Sequence, residues 1–151
     1  MPVLTRRTVS ERINVERLRA RAVEAAEQCE RLDVPDVAEG ASLDQALAAW
    51  PPARRLFVAD ERGGGIPALE AFSVCAAGAG ATMKASRGHA LLIGPEGGFE
   101  RSELDALGRL PFVSRGALGP RILRAETAAL AMLACWQAVA GDWRSPPPAR
   151  D

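Results

Sequence analysis

Two short stretches set a Gly-Pro step directly after an apolar run: "LLIGPEGGFERSEL" (91–104) and "ALGPRILR" (117–124). Glycine admits positive φ and lets a backbone approach a ligand closely, while proline fixes φ and removes an N–H donor. Loops built this way are stiff and offer mainly carbonyl and amide edges. Neither is a phosphate cradle. "GPEGGF" departs from G-x-G-x-x-G, and no G-x-x-x-x-G-K-[ST] occurs in the chain. A phosphate loop wants consecutive N–H groups and positive charge, whereas Pro95 lacks the N–H and Glu96 repels anions. A neutral or cationic ligand suits such a turn better, which argues against a nucleotide-phosphate binder. On spacing alone, the same steps also serve as ordinary strand-to-helix turns.

Other chemistries find little to work with. His89 is the single histidine, and the three cysteines (Cys29, Cys75, Cys135) are widely spaced with no C-x-x-C. That pattern suggests neither a disulfide framework nor a metal site. Cys29 and Cys135 fall in helical apolar patterns and are expected as small core residues. The 19 basic residues balance 19 acidic ones, so a polyanion would have to be met by a local patch. All basic residues but Lys84 are arginine. That bias fits a GC-rich coding sequence, or forks that grip phosphate and carboxylate. The longest apolar stretch, "AALAMLACW" (128–136), falls far short of the roughly 20 residues that span a bilayer. With no secretory signal, a cytoplasmic location is expected.

These loops need elements to hold them. A length of 151 residues suggests one domain. Asn14 is placed to cap a helix over "VERLRARAVEAAEQCERL", with Leu18, Ala22, Ala25, Ala26 and Cys29 on one face and Pro35 as its breaker. Ser42 precedes a short helix, "LDQALAAW", that stops at Pro51-Pro52. "RRLFVAD" (54–60), "HALLIG" (89–94) and "FVSRGAL" (112–118) read as strands, with "ERGGG" (61–65) as a turn. "ERSELDALGRL" and "LRAETAALAMLACWQAVAG" read as helices, the second apolar nearly all round; 66–88 gives only a weak signal. Alternation of strands and helices predicts an α/β fold, a parallel sheet covered by helices on both faces. In such sheets ligands sit beyond the carboxyl ends of the strands. "FVADERGGG", "LLIGPEGGF" and "ALGPRILR" all satisfy that condition.

"LLIGPEGGFERSEL" followed by "LGPRILRAETAAL" resembles the paired signature of the SPOUT-class RNA methyltransferases. More narrowly, it resembles the family that methylates N3 of a uridine in 16S ribosomal RNA. "TRRTVSER" and "EAAEQCERLDVPDV" resemble that family's middle segment, so the likeness runs over about residues 3–141. It implies a SPOUT fold with a C-terminal trefoil knot, S-adenosyl-L-methionine held in the knot loops, a homodimer, and 16S ribosomal RNA or the small ribosomal subunit as partner. The spacing of cysteine and histidine and the short apolar runs lead to an expectation of no metal and no membrane. Residues 1–141 would be the methyltransferase domain and 142–151 a Pro-rich tail. Relative to the family, "PVLTRRTVSER" follows Met1 directly, so an N-terminal RNA-binding barrel and the first strand and helix of the domain are expected to be missing. A non-catalytic RNA-binding or dimerisation module on the same fold is the alternative.

Residue by residue, the resemblance puts Ile93, Gly94, Pro95, Glu96, Gly97 and Gly98 on one side of the cofactor. Leu118, Gly119, Ile122 and Leu123 would form the other side, with Val58 and Ala59 at the third strand end. Arg121, Arg124 and Glu126 are the candidate catalytic residues. An arginine fork would orient the target base or its phosphate, and Glu126 would hold that arginine or act as base. As a first-turn acid, Glu126 also simply complements a helix dipole. Arg6, Arg7 and Arg12 are candidate RNA phosphate contacts, or a solvated polar end. Leu130, Met132, Leu133, Trp136 and Val139 cover more than one face of the last helix. That suits burial against both the sheet and a second subunit, or complete burial within one chain.

Overall fold

The computed structural model describes residues 1–9, 12–78, 89–143 and 145–146. The Gly/Ala-rich span 79–88 and the end of the tail, 147–151, lie outside the described residues. The chain divides into two compact units, Met1–Trp50 and Pro51–Asp151.

In the first unit, β1 (Val3–Leu4) pairs in parallel with β2 (Ala41–Ser42), with α1 (Val15–Gln28) between them in sequence and α2 (Leu43–Ala48) after them. Asn14 Oδ1 accepts the Arg17 N–H at 2.8 Å, satisfying one of the orphan donors of α1. Ser42 and Gln45 exchange side-chain-to-backbone hydrogen bonds, Gln45 N donating to Ser42 Oγ at 3.2 Å and Ser42 N to Gln45 Oε1 at 3.0 Å. This capping box starts α2 where expected. Helix α1 ends well before Pro35. Glu30 adopts φ +54°, Arg31 N bonds Ala26 O and Glu30 N bonds Glu27 O. Those two bonds close a Schellman end, so backbone geometry terminates the helix rather than the proline. Cys29 is therefore a capping residue and exposed, not the core residue its spacing suggested. Leu18 is exposed as well, and Val15, Ala26 and Leu43 are buried.

The second unit holds a four-stranded parallel sheet in the order β4-β6-β3-β5. Its strands are β3 (Leu56–Ala59), β4 (Ile66–Pro67), β5 (Ala90–Leu92) and β6 (Val113–Ala117), and its helices are α3 (Ala68–Gly78), α4 (Arg101–Gly108) and α5 (Ala125–Ala140). Strand β3 is flanked on both sides, by β5 and β6, and all four of its residues are buried. A continuous apolar run is what such a position demands. Helix α3 packs on α5 and β6, and α4 on β6. Phe57 and Phe72, both fully buried, meet edge-to-face with centroids 4.8 Å apart. They form a core with Ala59, Ala68, Ala71 and Met132, against which Cys135, Trp136 and Val139 pack. Leu130 and Leu133 on α5 are exposed. No helix among the described residues is long and apolar enough to cross a membrane.

Candidate functional site

The connection from β5 through α4 to β6 carries the chain from one side of β3 to the other, so three strand ends point their carboxyl termini to one place. There the loops after β3, β5 and β6, with the first turns of α5, enclose a cavity of about 320 Å³. That volume lies at the lower end of the range for small-molecule sites. The two Gly-Pro loops, separated by α4 and β6 in sequence, share it.

The loop after β5 is braced. Pro95 O accepts the Gly98 N–H at 2.8 Å, closing a turn over Glu96 and Gly97. Gly98 has φ +66°, a conformation other residues rarely adopt. Phe99, fully buried, lies under the loop, and a Cβ on Gly94 would sit 3.0 Å from its ring. Glu103 accepts the Glu100 N–H at 2.8 Å and fixes the entry into α4. The loop after β6 stands differently. Gly119 has φ +94°, and a Cβ there would meet no described atom within 4 Å. Ile122 is 82% exposed, and Arg121 and Arg124 are exposed as well.

Ala59, Ile93, Gly94, Pro95, Glu96 and Gly98 line one part of the cavity, and Leu118, Gly119, Arg121, Ile122, Leu123 and Arg124 another. Val58 lies in the strand interior, fully buried and away from the lining. Gly97, at the tip of its turn, and Glu126, exposed in the first turn of α5, do not line the cavity either. Arg6, Arg7 and Arg12 belong to the first unit.

Sequence reasoning passed over Asp60, Glu61, Gly116, Ala125 and Ala128, which also line the cavity. Asp60 and Glu61 were visible as two acids at the end of an apolar strand, and Ala125 and Ala128 as small residues one helical turn apart. Asp60 is buried, but its charge is satisfied. Arg115 donates to Oδ2 through Nε at 2.9 Å and through a second guanidinium nitrogen, while Oδ1 accepts the Arg62 N–H at 2.9 Å. Glu61 Oε1 accepts the Phe99 N–H at 3.1 Å. The wall thus has an acidic side, Glu61 and Glu96, and a basic side formed by Arg121, Arg124 and the start of α5. A ligand with a cationic centre and a carboxylate would find Glu96 for the one and an arginine for the other, Glu61 being engaged with Phe99. No group of three or more His, Cys, Asp or Glu among the described residues could hold a metal ion.

A cavity lined by two glycine-proline loops, apolar side chains and charges of both signs at the carboxyl ends of a parallel sheet defines a small-molecule site. The model of the RNA methyltransferase domain matches residues 1–137, and the chain belongs to that family. It is 39% identical over 111 residues to ribosomal RNA small subunit methyltransferase E of Bacillus subtilis (strain 168), covering 72% of this chain and 41% of that protein. The enzyme of the same name from Rickettsia conorii is 30% identical over 134 residues, 89% of this chain and 51% of that one. Among solved structures, the small subunit methyltransferase E of Neisseria gonorrhoeae bound to S-adenosyl methionine superposes with a TM-score of 0.71 at 26% identity, covering 94% of this chain and 55% of that one. The chain spans about half the length of the curated relatives it matches.

Proposed function

We propose that the cavity binds S-adenosyl-L-methionine and that the chain takes part in methyl transfer to N3 of a uridine in small-subunit ribosomal RNA. The observation that carries this reading is the convergence of both Gly-Pro loops on one cavity with an acidic and a basic side. Bound there, S-adenosyl-L-methionine would supply an electrophilic methyl group on a sulfonium. Main-chain edges of 93–98 and 118–119 would orient it, and Ile122 and Leu123 would cover its apolar part. Alignment of donor and acceptor contributes up to about 7–11 kcal/mol in favourable cases. Arg121 and Arg124, at the rim, are placed to hold the acceptor and stabilise the charge that spreads to the uracil carbonyl oxygens as the N3 proton leaves. Glu126, two residues beyond Arg124 in the first turn of α5, would orient an arginine or take that proton.

The same reading includes the SPOUT architecture: helices on both faces of the sheet and a C-terminal trefoil knot. It includes a homodimer in the cytoplasm as well. The exposed Leu130 and Leu133 on a helix whose Met132, Cys135, Trp136 and Val139 pack on the core support a second subunit at α5. Light scattering after size exclusion should then give twice the mass of one chain.

The functional test is incubation of small ribosomal subunits lacking the modification with the chain and labelled S-adenosyl-L-methionine, followed by nucleoside mass spectrometry. Label in N3-methyluridine is the expected result. Label at another position would overturn the N3 assignment. Binding without any transfer would favour the non-catalytic module.

A further inference from the structure

We infer that Glu61 is a positioning residue, a strut that holds the first Gly-Pro loop in its ligand-ready shape. Glu61 follows β3, and its carboxylate reaches across to the loop after β5, where Oε1 accepts the Phe99 N–H at 3.1 Å. The side chain crosses directly over Gly98: a Cβ on that residue would collide with Oε1. Glycine at 98 therefore meets two demands at once, φ +66° and room for the carboxylate. Only 28% of the Glu61 side chain is exposed, although its sole ion-pair neighbour among the described residues, Arg62 Nε, stands at 4.0 Å. An exposed pair at that separation contributes little. A bond from a carboxylate to a backbone N–H is charge-assisted and stronger than a neutral one. Its geometric effect is to tie two strand ends together, since Phe99 N is fixed by a residue from the β3 loop. Without that bond, the turn Pro95–Gly98 is free to tilt on the Phe99 ring, and the wall it presents to the cavity shifts. The oxygen is needed as an acceptor; its charge is secondary.

The ligand consequence rests on the reading of the cavity as a site for S-adenosyl-L-methionine. Two measurements on the 151-residue chain separate the strut from that reading. Without ligand, the Phe99 amide in a ¹⁵N-correlation spectrum should move upfield and exchange faster in Glu61→Ala, yet stay near its position in Glu61→Gln, whose amide oxygen still accepts. An unmoved Phe99 amide in Glu61→Ala would overturn the inference whatever the cavity binds. In calorimetric titration with S-adenosyl-L-methionine, Glu61→Ala should weaken Kd about tenfold and Glu61→Gln less than about threefold. Equal weakening by both substitutions would overturn the strut in favour of a direct charge contact, and no weakening by either would also overturn it. Failure of the unsubstituted chain to bind would remove the cofactor reading and leave the amide signal to decide the strut.

Discussion

The two Gly-Pro loops look alike in sequence and are held in opposite ways. The loop after β5 rests on a buried phenylalanine, closes its own turn and is gripped by Glu61. In the loop after β6, a Cβ on Gly119 would meet no described atom within 4 Å, and Ile122 stands 82% exposed. One wall of the cavity is thus held by packing and hydrogen bonds, and the other is the more exposed among the described residues. A preformed wall spares the ordering cost of binding, whereas an unsupported one pays it on engagement with ligand. The shared Gly-Pro step sets local stiffness. What supports each loop comes from residues far away in sequence.

Substitutions should divide along the same line. Phe99→Ala removes a fully buried ring from beneath the braced loop and should cost about 3–5 kcal/mol in denaturant unfolding. Ile122→Ala, at the open loop, should stay within about 0.5 kcal/mol. Comparable losses at both sites would break the contrast. Arg115→Met leaves the buried Asp60 carboxylate without its ion-pair partner at the root of the strut, and should cost roughly 3 kcal/mol. Gly119→Ala has space for its methyl group but not the backbone, since φ is +94°. It should cost about 1 kcal/mol of stability, read from the thermal midpoint, while weakening S-adenosyl-L-methionine binding in calorimetry.

The smallest effect lies at the amino end of the strands, away from both loops. His89, packed edge-on against Phe57, has its pKa held below the ordinary 6.5 by burial first and then by Arg55 and Arg54. The folded chain therefore prefers the neutral ring. Its contribution to stability is present above about pH 6.5 and is lost as pH falls through the lowered folded value. Replacing His89 with Phe should flatten unfolding midpoints measured across that acid range, and an unchanged slope would move the sensitivity elsewhere.

Periodicity and turn residues made most of the second unit legible. The buried run Leu56–Ala59, the alternation of strands with helices, and the end of α5 at Gly141 lie where apolar patterning and turn residues put them. Strands β1, β2 and β4 escaped notice because two residues carry no period. Helix α3 was obscured by its small, mostly apolar composition, in which Glu70 and Ser73 alone break the run and leave the 3.6-residue repeat faint. The early end of α1 lies in a left-handed glutamate, a residue that seldom announces such a turn. Within the cavity, the Gly-Pro loops were readable as local signals, and Asp60 and Glu61 as two acids after a strand, but what those acids bond was not. Their partners, Arg115 and Phe99, are 55 and 38 positions away, and only the parallel register of β3 against β6 and β5 brings them together.

Amide hydrogen exchange with and without S-adenosyl-L-methionine tests the central claim most directly. The two-loop account predicts that amides around Gly98 and Phe99 are slow before ligand is added and slow further with it. Amides of 118–124 should begin fast and gain the larger protection. Protection confined to one loop, or to neither at saturating ligand, would contradict a single molecule held between them.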